Sequence, residues 1–302
     1  MSELEQKVQK SIERLKAFEP PEGYYLAFSG GKDSVVCKAL LEMAGCKYDA
    51  VYRVTSVDPP ELVRFIKNQH PDVVREVPTD KDGKPITMWN IIPKHTMPPT
   101  RIARYCCQEL KESGGNGQMT VTGVRWAESS NRANNQGMVT IMSKTAAKIE
   151  GLVENQNFRL TNKGGVVLNN DNSESRKMIE QCYKKHKTVV NPIIEWTDDD
   201  VWDFIKANGR PYCELYDEGW KRLGCIGCPM ANRQGREKEF LRWPKYQNHY
   251  LLAFERMLIK RRNKGLKTEW QTAKDVFNWW MEYNVLTGQY DFFSEEYEDE
   301  ET

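Results

Sequence analysis

The sequence has no long hydrophobic run. None of its apolar stretches approaches the roughly 18 residues that a membrane-spanning helix needs. The N-terminal stretch MSELEQKVQKSIERLKAFEP carries too many charges to serve as a signal peptide. These two absences argue against a membrane protein and a secreted protein, so we expect a cytoplasmic location and no membrane partner.

The sequence also lacks an excess of charge of one sign, since 44 Lys and Arg residues face 43 Asp and Glu residues. The distribution is uneven, however. Residues 295–301, EEYEDEE, include six acidic residues, whereas residues 221–267 contain thirteen Lys or Arg residues and three Glu residues. We expect the acidic tail to be disordered and the stretch 221–267, called the basic segment below, to face an anionic partner.

Aromatic residues lie among and beside the cations of the basic segment. This mixture suits a nucleic-acid acceptor, because cations bind the backbone and aromatic rings stack on bases. It is also typical of amphipathic helices whose aromatic residues form the core while the cations remain solvated. The aromatic residues are Trp220, Phe240, Trp243, Tyr246, Tyr250 and Phe254.

Strand-like and helix-like patterns alternate through the first half of the chain. This rhythm predicts an α/β fold with an open, mostly parallel twisted sheet and helices on both faces. The predicted strands are 24–28, 50–54, 73–77 and 119–124, and the predicted helices are 34–43, 60–68 and 102–111. A proline-rich loop is predicted between the strand 73–77 and the helix 102–111.

The rhythm breaks over residues 127–188, a polar and Asn-rich stretch that we interpret as an insertion. NFRLTNKGGVVLN within it predicts a hairpin around residues 162–165. A strand at 189–194 and a helix from Thr197 to about Ala207 follow, and the chain after Cys228 is predicted to be helical.

We therefore divide the chain into three parts. Residues 1–22 form an N-terminal helix, 23–230 a nucleotide-binding domain that carries the insertion, and 231–302 a helical extension with the acidic tail.

A short polar turn joins the first predicted strand directly to a helix. Backbone amides at such a helix start, helped by the helix dipole, form an anion site, and two glycines let a phosphate approach closely. The carboxylate of Asp33 in this turn would repel bare phosphate, so we expect it to face a Mg²⁺ ion. The residues of this turn are Ser29, Gly30, Gly31, Lys32, Asp33 and Ser34.

The turn resembles the SGGxDS signature of the PP-loop ATP pyrophosphatases. Residues 122–132, 191–202 and 215–225 resemble G-[IV]-R-x-x-E-S-x-x-R, P-[IL]-x-x-W-x-x-x-D-[VI]-W and L-Y-x-x-G-x-x-R-[IL]-G-C of the phosphoadenosine phosphosulfate (PAPS) reductase family in that superfamily. The resemblance implies an adenine nucleotide alpha hydrolase-like fold. It also implies a loop that holds the pyrophosphate of ATP or the phosphosulfate of an adenylyl sulfate.

Further nucleotide contacts are expected from residues near the ends of later strands, since ligands of open α/β sheets bind there. We assign nucleotide binding to Thr55, Gly123, Arg125 and Arg132 in addition to the turn. Arg101, Arg104 and Lys111 would bring further cations toward these strand ends. The residues to which we assign catalysis are Lys32, Asp33, Lys111 and Arg125.

Four of the eight cysteines are clustered in the sequence as Cys106-Cys107 and Cys225-x-x-Cys228. Four thiolates suit either Zn²⁺ or an iron–sulfur cluster, and buried thiols without metal are the third interpretation. Bacterial sulfonucleotide reductases carry CC followed by CxxC, so the resemblance implies a [4Fe–4S] cluster, with Lys111 matching a nearby lysine of that group. The other cysteines, at positions 37, 46, 182 and 213, are predicted to be small core or surface residues.

Sulfonucleotide reductases of this family use a cysteine in a C-terminal E-C-G-[IL]-H segment, and residues 229–302 contain no cysteine. Three hypotheses follow. The first is an enzyme that adenylates an acceptor with ATP for sulfur transfer, as in DNA phosphorothioation or tRNA thiolation. The second is a thioredoxin-linked reductase of PAPS or adenylyl sulfate that produces sulfite. The third is a nucleotide-binding regulatory protein without turnover.

Overall fold

Eight short strands form one sheet in the part of the chain that the structure describes. The structure is a computed structural model, and it describes residues 1–142, 158–160, 166–168 and 187–283. Apolar and β-branched residues dominate the strands and are buried in most of them, which is the pattern of a sheet covered by helices. The strands are β1 (Tyr24–Ala27), β2 (Tyr48–Arg53), β3 (Val74–Glu76), β4 (Met119–Val121), β5 (Val139–Met142), β6 (Phe158–Leu160), β7 (Val166–Leu168) and β8 (Lys187–Val190).

The order of the strands is β3-β2-β1-β4-β8-β5-β7-β6. Neighbouring strands are parallel from β3 to β8, with Leu26 of β1 aligned to Ala50 of β2 and to Val121 of β4. The remaining neighbours, from β8 through β5 and β7 to β6, are antiparallel. The predicted α/β class with a mostly parallel sheet is confirmed.

Ten α-helices lie in the described residues. The helices are α1 (Glu3–Ala17), α2 (Lys32–Ala44), α3 (Pro60–Gln69), α4 (Met88–His95), α5 (Tyr105–Cys107), α6 (Ser130–Asn135), α7 (Asp198–Ala207), α8 (Arg233–Arg242), α9 (Pro244–Asn263) and α10 (Ala273–Trp280). A π-helical turn, Gln108–Glu112, continues α5, and 3₁₀ turns span Trp126–Glu128 and Glu214–Tyr216. No helix among these residues is long and apolar enough to cross a membrane.

The helices begin and end where the local sequence provides caps. Helix α2 ends at Gly45, whose positive φ of 68° is readily adopted by glycine. Helix α7 begins with a capping box in which Thr197 accepts from the Asp200 amide and the Asp200 carboxylate accepts from the Thr197 amide. Helices α1 and α7 both pack against α2, so the start of α2 is fixed by several neighbours.

The chain divides into two compact units. The first, called the sheet unit, comprises Met1–Ile86 and Cys107–Cys225 and holds all eight strands. The second, called the helical unit, comprises Thr87–Cys106 and Ile226–Thr302. In the helical unit α9 packs against α4, α8 and α10, and Tyr250 and Trp280 stack in its core at 4.7 Å between ring centroids.

Residues 127–188 add strands to the sheet, a role that the sequence did not indicate beyond the hairpin. Strand β5 pairs with β8, and the predicted hairpin is confirmed by the pairing of β6 with β7. The turn of that hairpin, residues 143–157 and 169–186 of the insertion, and the acidic tail 295–301 lie outside the described residues.

Two local predictions were wrong. The proline-rich stretch after β3 was expected to be a loop, but it contains α4, whose start is capped by Thr87 and Asn90. The helix predicted over 102–111 begins only at Tyr105 and becomes a π-turn from Gln108. Capping side chains and tertiary packing, which a periodicity analysis does not capture, explain both differences.

Candidate functional site

The turn between β1 and α2 has the backbone geometry of an anion site. Gly30 has a positive φ of 76°, and a Cβ atom at this position would lie 2.7 Å from the Ile66 side chain. Gly31 is the N-cap of α2 and provides no side-chain cap, so the first amides of the helix are presented by a bare backbone. The shape of the turn therefore requires glycine at position 30, whereas a Cβ atom at Gly31 would meet only ordinary contacts at 3.5 Å.

The two serines of the turn bond to each other and to its backbone. Ser29 Oγ donates to Ser34 Oγ at 3.3 Å and accepts from the Gly31 amide at 3.4 Å. Ser34 Oγ donates to the Gly31 carbonyl at 2.8 Å. These bonds hold the turn in shape, and the hydroxyls can reorient toward a ligand because serine rotates freely about Cβ.

Four charged side chains meet at the start of α2, and we call them the loop charge cluster: Lys32, Asp33, Arg125 and Asp198. Lys32 Nζ lies 2.9 Å from Asp198 Oδ1 and 3.5 Å from Asp33 Oδ2. Arg125 donates from Nε to Asp33 Oδ1 at 2.8 Å and from an amino group to Asp198 Oδ1 at 2.7 Å. The cluster contains two cations and two carboxylates, so it is neutral as a whole.

The cations of this cluster are buried. Lys32 is 5% exposed and Arg125 is 3% exposed. Partial burial alone would raise the pKa of Asp198, but the Lys32 ammonium and then the Arg125 guanidinium hold that pKa below its usual value. The Lys32 ammonium is thus held by Asp198.

Gly123 lets the end of β4 approach the start of α2. A Cβ atom at this position would lie 2.8 Å from Asp33 Cβ and 3.0 Å from the Asp33 carbonyl carbon. Because Gly123 lies against Asp33, the side chain of Arg125, two residues later in the chain, can reach the Asp33 carboxylate. The structure thus brings the six residues of the turn together with Gly123 and Arg125.

The other two expected nucleotide contacts are held by their own neighbours. Thr55 is fully buried, and its hydroxyl accepts from the Val57 amide at 3.2 Å, in a loop where Ser56 has a positive φ of 67°. Arg132 pairs with Glu128. Their assignment to nucleotide binding stays a prediction.

Two residues that the sequence analysis did not assign to the site contact Lys32. One is Asp198, the first residue of α7, whose carboxylate lies 2.9 Å from Lys32 Nζ. The other is Tyr216, whose hydroxyl accepts from the Lys32 amide at 3.0 Å. Burial raises the pKa of Tyr216, so the phenol is neutral at physiological pH. The signal for Tyr216 was its position within a family motif.

A second group of polar residues in the sheet unit surrounds two of the clustered cysteines. The Cys225 thiol lies 3.9 Å from Asp58 Oδ1, and Tyr52 donates to Asp58 Oδ2 at 2.6 Å. Lys111 is exposed. The nearby Cys225 raises the pKa of the Lys111 ammonium group, whereas desolvation by the surrounding protein lowers it. Asp58 and Cys107 raise that pKa further.

The other two clustered cysteines belong to the helical unit. Cys106 is buried, and Cys228 is half-buried beside the buried Arg236. Burial lowers the pKa of Arg236, while Glu282 and Cys228 oppose that shift. No three His, Cys, Asp or Glu side chains among the described residues are grouped so that they could hold a metal ion.

The cysteine surroundings can nevertheless be compared with the chemistry of an iron–sulfur cluster. A thiolate-ligated cluster needs soft sulfur ligands and is stabilised by nearby positive charge. Lys111 supplies such a charge beside Cys107 and Cys225. The surroundings of Cys107 and Cys225, two of the four expected ligands, therefore fit an iron–sulfur cluster.

The aromatic residues of the basic segment lie mainly in the core. Phe240, Trp243, Tyr250 and Phe254 are buried, whereas Trp220 and Tyr246 are partly exposed. The buried rings cannot stack on bases in this conformation. The cations of the helical unit that are exposed in this segment are Arg233, Lys238, Arg242, Lys245, Arg256, Arg262, Lys264 and Lys267.

Of the expected strand-end cations, Arg101 and Arg104 belong to the helical unit, where both are exposed. Arg101 donates from Nε to the Pro229 carbonyl at 3.2 Å. Three of the remaining cysteines, Cys37, Cys46 and Cys213, are buried in the core, and Cys182 lies outside the described residues.

Comparison with known proteins gives adenosine 5'-phosphosulfate reductases and uncharacterized proteins as relatives. Adenosine 5'-phosphosulfate reductase of Oceanobacillus iheyensis is 38% identical over 79 residues, which cover 25% of this chain and 33% of that protein. Uncharacterized protein MJ0973 of Methanocaldococcus jannaschii is 26% identical over 241 residues, which cover 76% of this chain and 47% of that protein. The chain spans less than half the length of the curated relatives it matches.

A solved structure, the phosphoadenylyl-sulfate (PAPS) reductase of Candida auris in its phosphate complex, is similar with a TM-score of 0.42 and 14% identity. That similarity covers 74% of this chain and 96% of the other. Residues 23–231 match the family described as the phosphoadenosine phosphosulfate reductase domain.

Proposed function

The chain belongs to the phosphoadenosine phosphosulfate reductase domain family, and from this premise we propose that it uses ATP to adenylate an acceptor for sulfur transfer. Pyrophosphate is the product released. The observation that carries the proposal is the turn at residues 29–34, with its bare helix start and the buried cations Lys32 and Arg125 beside it.

The turn supports binding of the pyrophosphate end of ATP. Amides at the start of α2 donate to phosphate oxygens, and the dipole of this helix favours negative charge there. Because the loop charge cluster is already neutral, a polyphosphate has to bring its own counter-charge or replace a carboxylate. A Mg²⁺ ion held by Asp33 would supply that charge.

Adenylation requires one bond exchange. An acceptor oxygen attacks the α-phosphorus of ATP, the bond to the β-phosphate breaks, and pyrophosphate leaves with the electron pair. In this step the turn holds the leaving group, and Lys32 stabilises its developing charge. A sulfur nucleophile then attacks the activated acceptor carbon or phosphorus and displaces AMP.

The buried cysteines that the structure describes support adenylation rather than reduction, because a reductase attacks the sulfur of its substrate with a thiolate. The thiols of Cys37, Cys46 and Cys213 are buried, and burial raises the pKa of each. Raised pKa values make these thiols poor nucleophiles.

We propose that Cys106, Cys107, Cys225 and Cys228 hold a [4Fe–4S] cluster. When bound, it supplies soft thiolate-ligated iron suited to sulfur binding or electron transfer. Lys111 supports the assignment through its positive charge beside Cys107 and Cys225.

A nucleic-acid acceptor is supported by the exposed cations of the basic segment. Because most of its aromatic rings are buried, the expected contacts are with phosphates rather than with stacked bases. Such binding weakens steeply as the salt concentration rises.

The test incubates anaerobically purified protein with Mg-ATP and either total tRNA or duplex DNA, and measures pyrophosphate. We expect release that depends on an acceptor and is lost in Lys32→Ala. The alternative function is sulfonucleotide reduction, which the identity to adenosine 5'-phosphosulfate reductases favours. Sulfite release from adenylyl sulfate or PAPS with thioredoxin, without pyrophosphate release from ATP, would replace the proposal. ATP binding without either activity would indicate a regulatory protein.

A further inference from the structure

The turn at residues 29–34 is called the phosphate loop below. One of its backbone N–H groups already donates a hydrogen bond to another residue of the protein. The Lys32 amide is the first of helix α2, and it donates to the Tyr216 hydroxyl at 3.0 Å. An amide at this position is among the donors that an anion at a helix start would use. The phenol oxygen of Tyr216 thus lies where a ligand oxygen would be expected.

The position of Tyr216 is fixed by its surroundings. Its ring lies edge-on to Trp202, with 5.0 Å between centroids and an interplanar angle of 84°. Trp202 belongs to α7, one turn after Asp198. Since Asp198 accepts from the Lys32 ammonium at 2.9 Å, α7 supports both partners of Lys32.

We propose that Tyr216 occupies the phosphate position in the nucleotide-free protein and that a phosphate oxygen of the nucleotide takes its place on binding. This inference rests on the proposed nucleotide site. A backbone N–H is directed at one acceptor, so the phenol and the phosphate oxygen compete for it. A charged oxygen accepts a stronger hydrogen bond than a neutral hydroxyl, so the nucleotide displaces the phenol.

Tyr216 thereby sets a threshold for the anions that the loop accepts. A ligand has to outcompete the phenol, which a polyphosphate does through several simultaneous contacts. Inorganic phosphate makes fewer contacts and competes less well. The tyrosine therefore lowers the affinity of the loop for each of these anions by the same factor, and the weakly held inorganic phosphate loses occupancy first.

The test compares Tyr216→Phe with Tyr212→Phe by calorimetric titration with Mg-ATP, inorganic pyrophosphate and inorganic phosphate. Tyr212 is a matched control because its ring also lies edge-on to Trp202, at 5.3 Å and 84°, while its hydroxyl donates to Asp217 at 3.1 Å. Removing the competing phenol is expected to tighten Mg-ATP binding by about two- to tenfold, the net value of one neutral hydrogen bond. Tyr212→Phe is expected to leave the affinity unchanged.

A second readout follows the Lys32 amide directly. In the nucleotide-free protein, hydrogen exchange at this amide should be faster in Tyr216→Phe than in the wild type, and Mg-ATP should slow it in both. If the wild type binds Mg-ATP and Tyr216→Phe binds it equally or more weakly, the displacement of Tyr216 by the nucleotide is wrong. The nucleotide site itself would not be contradicted by that result. Absence of binding in the wild type and both variants would overturn the nucleotide site itself.

Discussion

Gly123 is the residue through which β4 comes close to the phosphate loop. A Cβ atom there would contact the Asp33 carbonyl carbon at 3.0 Å and Asp33 Cβ at 2.8 Å. Backbone at the start of a helix cannot move aside as a flexible side chain can. The shape of the loop therefore depends on the absence of a single methyl group.

Gly123→Ala is expected to lower the free energy of unfolding by about 1–3 kcal/mol, the usual cost of forcing an extra methyl group into a packed site. It should also weaken Mg-ATP binding, because Asp33 and Lys32 must shift. Denaturant unfolding and calorimetric titration measure the two effects. Gly224→Ala is the control, since a Cβ atom at that position meets nothing within 4 Å. Equal stability of the two variants would contradict the close approach.

Asp198 makes the stability of the loop charge cluster dependent on pH. Its pKa in the folded protein is lowered from the usual 3.8 by Lys32 and Arg125, against the opposing effect of partial burial. A lowered pKa contributes stability above the unfolded value, and this stability is lost as the pH falls through the folded pKa. Because the Asp198 side chain is 59% exposed, solvent screening keeps the contribution to about 1 kcal/mol or less.

Asp198→Asn should therefore reduce stability at neutral pH, and its disadvantage should shrink below about pH 4. Thermal unfolding over a pH series measures both variants. Asp203→Asn, a change at an exposed residue of the same helix, provides the control and should run parallel to the wild type. A constant difference between Asp198→Asn and the wild type at all pH values would show that the ion pairs contribute nothing.

Single residues also show how far the sequence alone could predict the site. Two adjacent glycines in a strand-to-helix turn indicate that a ligand can approach the backbone closely, so the loop was predicted from six consecutive residues. Asp198 and Tyr216 are common residue types whose place in the site no local pattern indicates. Tyr216 lies 184 positions from Lys32 in the chain, and only the folded sheet brings the two together.

At the scale of elements, the start of α7 connects a local cap to the site. Thr197 Oγ1 accepts from the Asp200 amide at 3.2 Å, and Asp200 in turn accepts from the Thr197 amide at 2.7 Å. The start of this helix at Thr197 was predicted from the sequence because the cap depends only on residues next to one another in the chain. Asp198, the first residue of the helix, is thereby presented to Lys32.

Thr197→Ala should cost about 1 kcal/mol of stability, as the loss of an N-cap usually does, and should also change Mg-ATP affinity through Asp198. Thr272→Ala provides a matched control, since Thr272 and Asp275 cap α10 in the helical unit with the same geometry. We expect a similar loss of stability from the control and no change in affinity. Denaturant unfolding and calorimetric titration separate the two effects. Unchanged affinity in Thr197→Ala would show that α7 does not position the loop.

Helix α4 illustrates why some elements could not be predicted. Its sequence, MWNIIPKH, contains a proline near the end, and the flanking stretch contains several more. These prolines favoured a loop. Packing of α4 against α9 stabilises the helix, and that partner begins about 150 residues later in the sequence.

At the scale of the whole molecule, the four clustered cysteines come from both compact units. The chain passes from one unit to the other between Cys106 and Cys107 and again directly after Cys225. We predict that anaerobically purified protein is brown and contains about four irons per chain. Loss of the metal should lower the melting temperature, because metal binding is coupled to folding.

Cys107→Ser and Cys225→Ser are expected to lose most of the iron, as measured by metal analysis and absorption spectroscopy. Cys46→Ser, a change at a buried cysteine outside the cluster, should keep it. A colourless wild-type protein with one zinc per chain would replace the iron–sulfur prediction.

Strand β8 lies in the middle of the sheet, between β4 and β5, although it follows every other strand in the chain. A ribosome therefore delivers β4 and β5 before the strand that separates them. At 5–20 residues per second, the stretch from β7 to the end of β8 takes about one to four seconds to synthesise. During that interval the edges of β4 and β5 that later pair with β8 are unpaired, and they can pair wrongly with each other or with a neighbouring nascent chain. Stalled or shortened translation products that end before residue 187 should consequently aggregate and recruit chaperones.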